Sequence, residues 1–104
     1  MKPLSRLLPF LLMSLSLHAA EPDKARQQEL IYLLKQDCGS CHGLTLKGGL
    51  GPALLPQQLH GKSLDYLTTT ILDGHPGTAM PPWRGLMAEN EARWLAKALQ
   101  RGVK

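Results

Sequence analysis

Aromatic side chains are scarce in this sequence. Phe10, Tyr32, Tyr66, Trp83 and Trp94 are all it has among 104 residues, and Cys38 and Cys41 are its only cysteines. So few rings cannot fill an interior by themselves, and two cysteines cannot build a disulfide framework. Alternation of apolar and polar residues, the mark of a half-buried strand, is found nowhere. No segment repeats another. There is no basic tail and no arginine-rich run, which removes nucleic acid from the expected partners. Nor is there an unbroken apolar stretch of the roughly 20 residues that a membrane-spanning helix needs.

What is present begins with a leader. Lys2 and Arg6 precede an apolar run of about eleven residues that contains Pro9, and the small residues Ala19 and Ala20 follow before the polar stretch EPDKARQQE. That layout predicts a secretory signal peptide over residues 1–19, cleaved after Ala19, and a single exported domain over residues 20–104, placed in the periplasm. An uncleaved anchor is the alternative, and the run is short for it. No cysteine precedes Cys38, so no lipid can join a cysteine at the cleavage site. The net charge of +4 falls to about +2 without Lys2 and Arg6. A remaining chain of about 85 residues leaves an apolar core little margin, so a cofactor or staple is expected.

Helical pattern starts near Gln27, after a loose charged lead-in over residues 21–27. Leu30, Leu34, Cys38 and Cys41 then fall within an arc of about 80° on a helix, aiming both cysteines at one object. Residues 43–62 are rich in Gly and Pro and predict loop with a turn or two. Ser63 is a plausible cap for a helix over 64–72, ended by Gly74. Pro76, Pro81 and Pro82 exclude helix from residues 75–83. A last helix is predicted over 89–101, with Glu89 and Glu91 at its start and Arg93, Lys97 and Arg101 toward its end, an order that suits the helix dipole.

The stretch DCGSCHG, residues 37–43, holds both cysteines, with His42 directly after the second. A thioredoxin-like dithiol belongs in a βαβ unit, and no strand pattern exists. A disulfide across so short a loop would constrain little of the chain. Zinc needs four ligands, and the remaining candidates, His60 and His75, lie fifteen residues apart, outside the usual short spacing. Covalent haem accounts for every residue. Two thiols three apart add to the two vinyl groups at the porphyrin edge, and the next residue, His42, is carried under the iron. One covalently attached haem c is the expected cofactor.

At these residues the chain resembles the class I monohaem cytochromes c. The resemblance rests on Cys38-Gly-Ser-Cys41-His42-Gly43, then Gly51-Pro52-Ala53-Leu54, then Met80-Pro81-Pro82-Trp83, then an amphipathic last helix. It implies an all-α, small class I cytochrome c fold, three or four short helices and long loops wrapped around one haem. It also implies that the Pro52 carbonyl receives the Nδ1 hydrogen of His42, which makes the imidazole a better iron donor. On the other side of the iron, Met80 stands in a proline-stiffened loop and is the expected ligand. His60, His75 or an open position are the alternatives, and Met87 reads as a core residue. Met/His ligation raises the reduction potential and suits electron transfer over oxygen chemistry. Tyr66, Trp83 and Arg84 are candidate propionate contacts, with simple packing as the other reading for the two aromatics. Arg93, Lys97 and Arg101 make a basic helix face, either solvated or used in docking. Where many relatives have a glycine eight residues before the first cysteine and an aromatic four before it, this chain has Leu30 and Leu34. That puts the crossing of the first and last helices in question, with Trp94 expected as its main aromatic contact.

More narrowly, CGSCHG, the GPALLP run and ILDGHPGTAMPPWRG look like the small NirC-type cytochromes of nitrite-reductase gene clusters. That resemblance implies denitrification. The expected protein is a periplasmic electron carrier, not an enzyme, cycling between Fe(II) and Fe(III), with a haem-d1 nitrite reductase as redox partner. The alternative is an assembly factor assisting maturation of that reductase or its cofactor. A peroxidase-like reading would need an open iron site and a distal acid–base group, for which His75 is the one nearby candidate.

Overall fold

A computed structural model describes residues 21–103. The expected signal peptide, residues 1–19, lies outside the described residues. Among those described there is no strand, and the elements run α1 (Lys24–Leu33), a π-helical turn (Leu34–Cys38), α2 (Gly39–His42), α3 (Pro56–Leu59), α4 (Leu64–Asp73) and α5 (Glu89–Arg101). The fold is all-α, as expected.

Two details at the start of the chain differ from the sequence-based expectation. Residues 24–27 are helical rather than a loose lead-in, because the Asp23 side chain accepts the Arg26 backbone N–H at 2.8 Å and caps α1. The helix does run on to the cysteines, but not as a regular α-helix throughout. The Gly39 N–H reaches back five residues to the Leu34 carbonyl, which defines the π turn. A wider turn breaks the regular 3.6-residue phase between Leu34 and Cys38. Leu34 stays in the core, while Cys38 sits at its margin.

The other helices follow their caps. The Ser63 hydroxyl oxygen accepts the Tyr66 N–H at 3.0 Å, opening α4. Glu91 accepts the Ala88 N–H at 2.8 Å at the start of α5, where a carboxylate also suits the dipole.

One core joins them: Leu30 and Leu34 from the first helical segment, Leu59 from α3, Leu67 and Leu72 from α4, and Ala92, Leu95, Ala96 and Leu99 from α5, with Leu46 and Met87 from loops. Leu30, Ala92 and Ala96 are wholly buried. Leucine thus fills the position where many relatives have a glycine, and α5 brings two alanines and two leucines to the same core. Each fully buried leucine contributes about 1.5–3 kcal/mol. Trp94 is half-buried on the flank of this core. Arg26 reinforces the junction of the two helices. Its guanidinium donates to the Glu91 carboxylate, to Glu29 at 2.9 Å and to the Leu86 carbonyl at 3.0 Å.

Candidate haem site

His42 ends α2 and is 8% exposed. Its Nδ1 lies 2.7 Å from the Pro52 carbonyl oxygen. A carbonyl can only accept, so Nδ1 carries the hydrogen, and in the neutral tautomer this selects, the lone pair is on Nε2. Main-chain bonds bring Pro52 there. Gly48 N–H donates to the His42 carbonyl, Gly51 N–H to the Cys41 carbonyl and Leu54 N–H to the Leu46 carbonyl, each at 2.8 Å. Leu46 takes a left-handed φ of 60° while its side chain is buried, a conformation uncommon for leucine.

Gly51 passes so close to the imidazole that a β-carbon would stand 2.7 Å from Cε1 and 2.8 Å from Nδ1. The motif Gly51-Pro52-Ala53-Leu54 alone does not give Gly51 this role. The available signal is the glycine-rich run KGGLG, residues 47–51, shortly after the cysteine motif.

Cys38 and Cys41 are not joined to each other, and both are half-buried. Burial, then the charge of Asp37 and the neighbouring Cys41, push the Cys38 thiol up to about 11. Burial thus favours the neutral form of the Cys38 thiol. Among the described residues, no group of three or more His, Cys, Asp or Glu side chains converges as a zinc site requires. Two free thiols beside a nearly buried imidazole with a defined lone pair, cradled by a glycine, fit a covalently attached haem.

Met80 is half-buried in the loop over residues 74–83, whereas Met87 is in the core, as expected. The loop is bonded internally: His75 N–H to the Met80 carbonyl at 3.2 Å, the Thr78 hydroxyl to the His75 carbonyl at 2.6 Å, and Met80 N–H to the Thr78 hydroxyl oxygen at 3.3 Å. Its return is tied to α4 by Trp83 N–H on the Ile71 carbonyl at 3.1 Å and Arg84 N–H on the Leu72 carbonyl at 3.0 Å. Gly74, at φ 70°, lets the strap lie flat, since a β-carbon there would stand 2.6 Å from the Met80 carbonyl oxygen. His60 and His75 are exposed loop residues.

The candidate propionate contacts are placed as follows. Arg84 forms a two-pronged ion pair with Asp73, at 2.8 and 2.9 Å, and holds that carboxyl below the usual range. Trp83 is half-buried against the core. Tyr66 is exposed, with the Lys62 ammonium 5.5 Å from its ring centroid. On the basic helix face, Arg93 pairs with Asp65 at 2.7 Å. Lys97 and Arg101, with His60 and Gln100, line an open groove of about 440 Å³ that includes neither His42 nor Met80.

The family model for cytochrome c oxidase, cbb3-type, subunit III, matches residues 25–97. Cytochrome c55X of Pseudomonas aeruginosa is 57% identical over 81 residues, 78% of this chain and 68% of that protein. A solved c-type cytochrome NirC is similar with a TM-score of 0.76 at 55% identity, covering 77% of this chain and 94% of that one. A solved dihydro-heme d1 dehydrogenase NirN, in complex with DHE, gives a TM-score of 0.64 at 33% identity, covering 70% of this chain but 16% of that one. Among the described residues, no helix is long and apolar enough to cross a membrane. With a helical fold shared with NirC and a family match over most of its length, the chain belongs to the family described as cytochrome c oxidase, cbb3-type, subunit III, and is a small c-type cytochrome, an electron carrier.

Proposed function

We propose that the chain is a periplasmic carrier of single electrons in denitrification, delivering them to a haem-d1 nitrite reductase. The observation that carries the cofactor chemistry is the 2.7 Å bond between His42 Nδ1 and the Pro52 carbonyl. It fixes the tautomer that presents Nε2, and it turns a cysteine motif into a proximal ligand set. When bound, the haem supplies a one-electron Fe(III)/Fe(II) couple. In this reading Cys38 and Cys41 would hold it covalently, and His42 through Nε2 and Met80 through its thioether would be its iron donors. Pro52 holds the imidazole proton and Gly51 leaves the ring its space. The similarity to NirC supports the partner, and the leader over residues 1–19 supports the compartment.

A second reading has its own observation: the similarity to part of a dihydro-heme d1 dehydrogenase. Dehydrogenation releases two electrons, which a one-electron carrier can remove in succession. The cytochrome would then serve maturation of the haem-d1 cofactor. Stopped-flow mixing separates the two. Oxidation of the reduced protein at a rate that rises with nitrite reductase concentration supports the first. Inertness toward the reductase, with rapid reduction by the dehydrogenase and dihydro-haem d1, moves the function to maturation.

A further inference from the structure

Asp73 ends α4 and Arg84 follows Trp83, so these two residues stand at the two ends of the loop that carries Met80. Their ion pair uses both carboxylate oxygens, Nε to Oδ1 at 2.8 Å and Nη2 to Oδ2 at 2.9 Å. Both side chains are about half exposed, and neither belongs to the core. The backbone bonds from Trp83 to Ile71 and from Arg84 to Leu72 lie at the same junction. Inside the loop, Pro76, Pro81 and Pro82 restrict the chain, and the His75–Met80 and Thr78–His75 bonds close it on itself. A segment stiff within itself moves as a unit about its base, and the ion pair spans that base.

We propose that Asp73 and Arg84 form a clamp that positions the Met80 loop, acting through the backbone to set how long the Met80 side chain stays in place. This rests on the reading of Met80 as the distal ligand. An exposed pair contributes little to global stability and is screened by salt. Its two-pronged geometry nonetheless restrains the local opening of the segment it closes. External imidazole can reach a ferric haem only after the thioether has left, so its binding rate reports the opening of the loop.

The test uses the haem-bearing protein and the variants Asp73→Asn, Arg84→Gln and their double. Each single change should speed imidazole binding about two- to fivefold. The double should be no faster than either single, because one interaction is lost once. About 1 M salt should bring the parent toward the variants' rate. Exchange of the Trp83 and Arg84 amide hydrogens should quicken in parallel, while the thermal midpoint moves little. Unchanged imidazole rates, or additive effects in the double, would overturn the clamp. Met80→Ala separates this from the underlying reading. If that variant keeps the far-red charge-transfer band of a Met-ligated ferric haem, the assignment of Met80 fails. If it loses the band while the clamp variants behave as the parent, the clamp alone fails.

Discussion

Between His42 and Leu54 the chain is held by its own main chain, through bonds to the carbonyls of Cys41, His42 and Leu46 and the carbonyl of Pro52 on the imidazole. Between Asp73 and Arg84 main-chain bonds are joined by prolines, a threonine hydroxyl and an ion pair half open to water. The first arrangement contains no charged group that salt can screen. The second depends on one. The contrast suggests a division of labour, in which the His42 side is permanent and the Met80 side is adjustable.

The largest effect should come from removing each proposed ligand in turn. His42→Ala should cut the yield of folded, haem-bearing protein by about tenfold or more, the scale of losses at metal sites. Met80→Ala should still be recovered with haem attached, without the far-red band and with faster cyanide binding. Met87→Ala, a core change, should keep the band. Equal yields for His42→Ala and Met80→Ala would erase the comparison.

Next are the two close-approach glycines. Gly51→Ala drives a β-carbon into the imidazole ring, and Gly74→Ala drives one into the Met80 carbonyl at a left-handed φ. Each should lower stability by about 1–3 kcal/mol in thermal melts. Only Gly74→Ala should weaken the far-red band. Loss of the band in Gly51→Ala alone would reverse the assignment of the two sides.

How these features were legible differs from one to the next. The bounds of α5 were readable because acidic residues open it, basic ones close it and its apolar residues keep a helical period. The His42–Pro52 bond followed from family resemblance, and the structure places the two atoms together. The π turn left no trace, since side-chain spacing does not report how many backbone residues a turn consumes. Asp23 carried a readable capping signal that an emphasis on apolar spacing passed over. Arg84, a candidate propionate contact, pairs with Asp73, eleven residues back. That contact depends on how the proline loop closes, which no local pattern encodes. The glycine run announced a close approach without saying to what.

A smaller effect should come from the junction of α1 and α5. Glu91→Gln should cost about 1 kcal/mol by loosening Arg26. Arg26 first, then the Ala88 N–H, hold the Glu91 carboxyl below its ordinary value. Its stabilisation is therefore complete above the ordinary value of about 4.3 and is lost as pH falls through the lowered one. Acid titration of the thermal midpoint should show a shallower decline in Glu91→Gln, with the far-red band unchanged in both proteins at neutral pH.

The smallest expected change concerns docking. Lys47 lies in the loop after His42, whereas Lys97 lines the groove on α5. Lys47→Glu should slow electron transfer by about two- to threefold at low salt, and less at high salt. Lys97→Glu should have little effect. A salt-sensitive loss for Lys97→Glu with none for Lys47→Glu would place the partner on α5.

The central claim is that Cys38 and Cys41 hold a haem covalently above His42. The most direct measurement is the intact mass of the protein, made in a host with haem-attachment machinery, after extraction with acidified organic solvent. The account predicts the mass of the polypeptide plus one haem, with no colour in the solvent. A bare polypeptide mass, with the haem carried into the solvent, would contradict it.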